Sequence, residues 1–126
     1  MEIYKTRIFH RWANDEGLTD TAICDAVKEM QKGLFDADLG GELFKKRIAK
    51  QGKGKSGGFR TLLATNRGDK WFFIFGFQKN ERSNIDKDEK EALKKLASQL
   101  LSYNNELLNK AIKAKELIEV ICNEKN

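Results

Sequence analysis

The stretch LFKKRIAKQGKGKSGGFRTLLATNRGDKWFFIFGFQ, residues 43–78, decides the fold. Residues 43–49 alternate, with Leu43, Lys45, Arg47 and Ala49 on one face and Phe44, Lys46 and Ile48 on the other, the period of two that marks a strand. The glycine-rich run at residues 51–58 reads as a long hairpin loop. Residues 59–65 follow as a second strand, Asn66-Arg67-Gly68-Asp69 has the chemistry of a tight turn, and residues 70–78 form a third strand. In that last segment Trp71, Phe73, Phe75 and Phe77 fall on one side and Phe72, Ile74 and Gly76 on the other. Apolar groups on both faces mark a central strand. Both connections are too short for a parallel crossover, so the three strands are expected to form an antiparallel meander.

Working outward, residues 2–5 suggest a short strand. Ile8, Phe9, Trp12 and Ala13 recur at helical spacing before Asp15-Glu16-Gly17 ends the segment. A second helix is capped by Thr19, carries the stripe Ile23, Ala26, Val27 and Met30, and stops at Gly33 in the C′ position. Leu39-Gly40-Gly41 then punctuates the chain. After the meander, Asp86 followed by Glu89 matches a capping box, and Leu93, Leu96, Ala97, Leu100 and Leu101 hold the spacing of a helix packed on a sheet. Beyond Ser102, Asn105 can cap a further short helix, and residues 116–121 are β-branched enough for an edge strand. The expected class is α+β: a small antiparallel sheet, made of the meander and an N-terminal strand, with two N-terminal helices and a C-terminal helix, in one domain spanning residues 1–126.

The chain has 126 residues, enough for one core without metal or disulfide staples. No apolar run approaches the ~18 residues of a membrane span, and residues 1–9 lack the apolar core of a signal peptide, so a cytoplasmic protein is expected. On that footing Cys24 and Cys122, far apart and in no CxxC pair, are expected to be free thiols in apolar surroundings.

The net charge of +5 is unevenly spread. Residues 1–42 carry five basic and nine acidic groups, and residues 69–126 carry eleven and ten. Residues 43–68 hold eight basic groups and no acid: Lys45, Lys46, Arg47, Lys50, Lys53, Lys55, Arg60 and Arg67. Held on a folded surface, such a single-sign stretch attracts a polyanion; the bland alternative is a solubilising face.

Other chemistries find few residues to stand on. The run Gly52-Lys53-Gly54-Lys55-Ser56 resembles a phosphate-binding loop, but it lacks the GxxxxGK[ST] spacing and leads into a strand rather than a helix. There is no HExxH, no Cys/His cluster and no close His/carboxylate pair, so neither a metal hydrolase nor a nucleophilic triad is indicated, and no cofactor is expected. His10, the one histidine, reads as a surface or capping residue. What remains is the basic surface. Lys45 and Arg47 point the same way from one strand, Arg60 lies across the hairpin, and Lys79 ends the next strand beside Asn80, Glu81 and Arg82.

The order of two helices, a basic strand, KGKSGGFR, a second hairpin and QKNERSNI before a helix resembles the RelE/ParE superfamily of toxins from toxin–antitoxin operons, and within it the HigB-type mRNA interferases. The resemblance covers about residues 1–103. It implies an antiparallel sheet whose concave face carries the basic residues, with helices on the other side, and a ribosome-dependent endoribonuclease that cleaves mRNA by metal-independent attack of the 2′-OH. On that pattern Arg60, in the GFR motif, would grip phosphate oxygens, and Lys45 and Arg47 match the paired basic residues of the preceding strand. A lysine acts as a base only when neutral, and neighbouring cations push it in that direction. Where well-known members place an arginine and, further on, a tyrosine, this chain has Asn80 and Asp86, which leaves Lys79 as the proton donor to the leaving 5′-oxygen. Lys46, Lys53, Lys55 and Arg82 are assigned to holding RNA. The implied partners are a cognate antitoxin, mRNA and the ribosome, with no membrane. A ParE-like protein that binds DNA gyrase, or an RNA-binding relative without nuclease activity, is the alternative.

Overall fold

The computed structural model describes residues 1–50 and 54–122. Among them the elements run β1 (Glu2–Thr6), α1 (Arg7–Glu16), α2 (Asp20–Gln31), β2 (Ala37–Asp38), β3 (Leu43–Lys50), β4 (Gly54–Thr65), β5 (Lys70–Gln78), α3 (Lys87–Leu101), α4 (Asn105–Lys113) and β6 (Leu117–Glu119). The six strands form one sheet in the order β2-β3-β4-β5-β1-β6. The meander β3-β4-β5 lies at its centre and β6 pairs antiparallel with β1 at the edge, so the α+β reading holds. The N-terminal strand departs from the antiparallel expectation: β1 runs parallel to β5, with Ile3 opposite Trp71 and Lys5 opposite Phe73. The whole chain between β1 and β5 serves as their crossover, a connection no local signal announces. Strand β4 also begins earlier than the expected loop end, at Gly54. No helix among the described residues is long and apolar enough to cross a membrane.

Local chemistry sets the helix boundaries as read. The Thr19 hydroxyl accepts from the Ala22 amide, and Gly33 takes a positive φ after α2. Asp86 and Glu89 form the reciprocal capping box, the Asp86 carboxylate accepting from the Glu89 amide at 2.8 Å and the Glu89 carboxylate from the Asp86 amide at 2.9 Å. Helix α4 is capped by Asn104, one residue before the position expected.

Each face of the sheet buries a core. Helices α1 and α2 set Phe9, Ala13, Ile23, Val27 and Met30 against Phe44, Ile48, Phe59, Leu63, Trp71 and Phe73. On the other face α3 and α4 place Ala97, Leu100 and Leu108 over Leu43, Leu62, Ala64, Phe72 and Ile74. The expectation of helices on one side only is thus corrected. The second face is half covered, and its other end carries the basic residues.

A bulge decides which residues share that end. Leu62 pairs with Phe75 but its neighbour Leu63 pairs with Phe73, so Ile74 is an extra residue in β5 and reverses the alternation after it. Phe75 and Phe77 therefore stand on the side of Phe72 and Ile74, opposite to Trp71 and Phe73, and Gly76 turns toward α1. The sequence pattern could not show this, because both faces of the strand are apolar. Gly76 is required where it falls: a Cβ there would sit 2.3 Å from the Trp12 ring, which lies on the sheet at that point and meets Phe59 edge-on.

The cysteines overturn another expectation. Cys24 and Cys122 are joined in a disulfide, with their Cα atoms 5.9 Å apart. The tertiary fold makes the pair: β6 lies against β1, the Val120 amide donates to the Ile3 carbonyl, and the Ile121 amide donates to Asp20, one turn before Cys24 on α2. A separation of 98 residues carries no hint of that proximity.

Candidate nucleic-acid interface

Residues directly opposite in an antiparallel ladder project from the same face. Arg47 pairs with Arg60, which pairs with Phe77, and Lys45 pairs with Leu62, which pairs with Phe75. Two parallel rows therefore cross three strands, a span of roughly 10 Å at ordinary strand spacing. The alternation of β3 and the bulge in β5 together bring Lys45, Arg47, Arg60 and the two phenylalanines onto one surface. Placing two arginines opposite each other is unfavourable for the fold alone, since like charges in a cross-strand pair repel.

Arg60 is the buried member, only 4% exposed, and its guanidinium donates to the Gly58 carbonyl at 3.4 Å. Burial first, and the Arg47 charge second, pull its pKa below the usual guanidinium range, while Asp36 opposes them. An arginine stays protonated under these conditions, so the result is a strongly electropositive, partly desolvated donor group. Arg47 is more open, and Asp36 steadies it by accepting from its amide at 2.6 Å and lying 3.7 Å from its Nε. Lys45 is half-buried beside them.

Arg82 follows β5 and folds back over the same surface. Its guanidinium lies 5.5 Å from the Phe77 ring centroid and 6.0 Å from that of Phe75. Glu89 receives it in a two-pronged ion pair, with Nη1 to Oε2 at 3.1 Å, and Nε donates to the Asn84 carbonyl at 3.0 Å. The pair raises the Arg82 pKa and lowers that of Glu89, its hydrogen bonds being the main cause in both.

Lys45, Arg47 and Arg60 thus come together as the strand pattern indicates, and Lys79 sits exposed just past the end of β5. Lys46 goes elsewhere. It is 3% exposed on the opposite face, its ammonium 2.7 Å from Glu29 and donating to the Leu34 carbonyl at 2.8 Å, so it holds α2 to the sheet and does not reach the basic surface. Lys50 and Arg67 lie over the rings of Phe59 and Phe35. Lys53 and the side chain of Lys55 lie outside the described residues. The sequence pattern does not single out Asp36, and it marks Glu89 only as half of a capping box, not as the partner of Arg82. Both flank the acid-free stretch rather than lying in it, and a linear charge count cannot see a carboxylate brought in from another element.

The fold and this surface define a class: a small α+β protein with a cationic patch, and an aromatic floor beside it, on one face of its sheet. The particular family follows from the sequence. The chain belongs to the RelE toxin family, of the RelE/RelB toxin–antitoxin system, which it matches over residues 1–120. It is therefore the toxin member of such a system, and its implied partner is a cognate antitoxin. No protein with a curated description matches the chain. The family match runs through β6, in keeping with the place of that strand in the sheet.

Proposed function

We propose that this toxin is an endoribonuclease that cleaves mRNA on the ribosome, using its cationic groups in place of a metal. The observation that carries the reading is the cross-strand pair of Arg47 and Arg60, with Arg60 buried and Lys45 in the adjoining row. A fold that keeps two like charges opposite each other, one of them desolvated, gains most from an anion placed between them.

In the proposed step the RNA 2′-oxygen attacks the adjacent phosphorus. The 2′-O–P bond forms and the P–O5′ bond breaks, leaving a 2′,3′-cyclic phosphate and a 5′-hydroxyl. Arg60 holds two phosphate oxygens and stabilises the added charge of the phosphorane, where guanidinium geometry suits both. Arg47 orients the same phosphate, Lys45 takes the 2′-hydroxyl proton, and Lys79 delivers a proton to the departing 5′-oxygen.

The test uses purified protein, programmed ribosomes and mapping of RNA ends. Wild type should yield fragments ending in cyclic phosphate. Arg60→Ala, with its fold checked by thermal melting, should lower the rate by roughly 10²–10³-fold, the range for losing one donor to a developing oxyanion. Arg60→Lys should recover only part of it, because an ammonium cannot fork. Growth arrest with intact transcripts and broken DNA would replace this reading with gyrase binding. A folded Arg60→Ala that cuts at full rate would overturn the residue assignment.

A further inference from the structure

Arg82 has the surroundings of a flat platform rather than of a phosphate clamp. Three of its five N–H donors are committed in the plane of the guanidinium, two toward Glu89 and one to the Asn84 carbonyl. The carboxylate closes the fork a phosphate would need and cancels the charge that would attract one. The faces of the group remain. The central carbon of the group lies over the Phe77 and Phe75 rings, and the side chain keeps 36% of its exposure, so part of it meets solvent.

Of the rings beneath, only Phe75 keeps partial exposure. Phe77 is 3% exposed, and Phe59 belongs to the opposite core, against Trp12. Arg82 is therefore the outermost layer of the stack. Phe77 is also the cross-strand partner of Arg60, so the layer stands next to the group assigned to the phosphate. Planar guanidinium groups stack on bases, and unstacked bases are what proteins grip in single-stranded RNA.

We propose that Arg82, held over Phe77 and Phe75 by Glu89, is the shelf on which one nucleobase of the bound RNA stacks. The proposal rests on the RNA reading above and adds the base contact to it. Glu89 is a positioning residue. It fixes the guanidinium plane and, as the reciprocal partner of Asp86 in the capping box, ties that plane to the start of α3.

The experiment measures binding to ribosomes programmed with mRNA carrying a 2′-deoxy nucleotide at the cleavage point, so that nothing is cut. An abasic nucleotide is then placed at each position around it. For wild type, one abasic position should weaken binding by about five- to a hundred-fold, the worth of one stacked base. Arg82→Ala should lose the same factor and become indifferent to that position, with its salt dependence unchanged; a phosphate contact would instead reduce the salt slope by about one. Arg82→Lys keeps the charge and should behave as Arg82→Ala. Glu89→Gln preserves the capping-box chemistry and loses the ion pair, and should weaken binding by several-fold. The shelf is refuted if Arg82→Lys binds as wild type does, or if Arg82→Ala flattens the salt dependence. Wild type that neither binds nor cuts programmed mRNA would sink the RNA reading itself, whereas wild type that cuts while the variants match it sinks the shelf alone.

Discussion

Replacing Lys46 separates the structural from the RNA-binding reading of the basic strand. Its ammonium is 2.7 Å from Glu29 and 2.8 Å from the Leu34 carbonyl, on the core side of the sheet. Lys46→Met keeps the buried stem and leaves Glu29, whose side chain is 38% exposed, able to turn to water. Breaking a fully buried pair costs about 3–5 kcal/mol, and rehydration of the carboxylate should bring this case down to about 2 kcal/mol. Glu29→Ala strands the more deeply buried member and should cost more, toward the top of that ~3–5 kcal/mol range. The double variant Lys46→Met/Glu29→Leu should recover much of the loss, because an apolar pair pays no desolvation. Urea unfolding reads all three: with an m-value of roughly 2 kcal/mol per molar, Lys46→Met should lower the midpoint by about 1 M. Toxicity on induction should persist wherever the protein stays folded. An unchanged midpoint with toxicity abolished would show that Lys46 acts at the basic surface, and the placement argued above would be wrong.

Gly76→Ala should destabilise by about 1–3 kcal/mol, seen as a lower melting temperature, since its Cβ would overlap the Trp12 ring that packs on the sheet; a melt equal to wild type would contradict that packing. Reduction of the Cys24–Cys122 bond, which closes a loop of about a hundred residues, should cost on the order of 2–4 kcal/mol, and Cys122→Ser should melt like the reduced wild type; a melting temperature indifferent to reductant would show that the bond contributes nothing. Burial, then the Lys5 charge, hold the His10 pKa below 6.5, with Asp20 opposing. The unfolded chain therefore binds the proton first, so this stability is complete above pH 6.5 and is lost as pH falls below it. Between pH 7.5 and 5.5 wild type should lose more of its urea midpoint than His10→Gln does, and equal losses would refute the linkage.

The helices were legible because their signals are local. Thr19, Gly33 and the Asp86/Glu89 pair act within a turn or so of chain, and the structure uses each as read. The face shared by Lys45 and Arg47 was legible for the same reason, since alternation is a property of one strand. In β5 simple alternation breaks at Ile74. With Phe72, Phe73, Phe75 and Phe77 around it, no polar residue marks which face is which, so nothing in the pattern reports a skipped register. Of the candidate site, the shared surface of Lys45, Arg47 and Arg60 was legible from charge and periodicity. Arg82 was found as a cation, but its chemistry depends on Glu89 and Phe77, which reach it from different elements.

The sequence by itself determined the meander, the helix ends, the concentration of cations between residues 43 and 68, and the resemblance to RelE toxins. Only the tertiary structure decided that β1 runs parallel to β5, that Cys24 meets Cys122, that Lys46 is neutralised in the core while Arg60 faces Arg47, and that Arg82 lies over Phe77 beside them. The division follows from range. Caps, turns and alternation are settled by energies between residues a few positions apart. Ion pairs, disulfides and strand neighbours are settled by which distant segments bury one another, and no short window of sequence contains that choice.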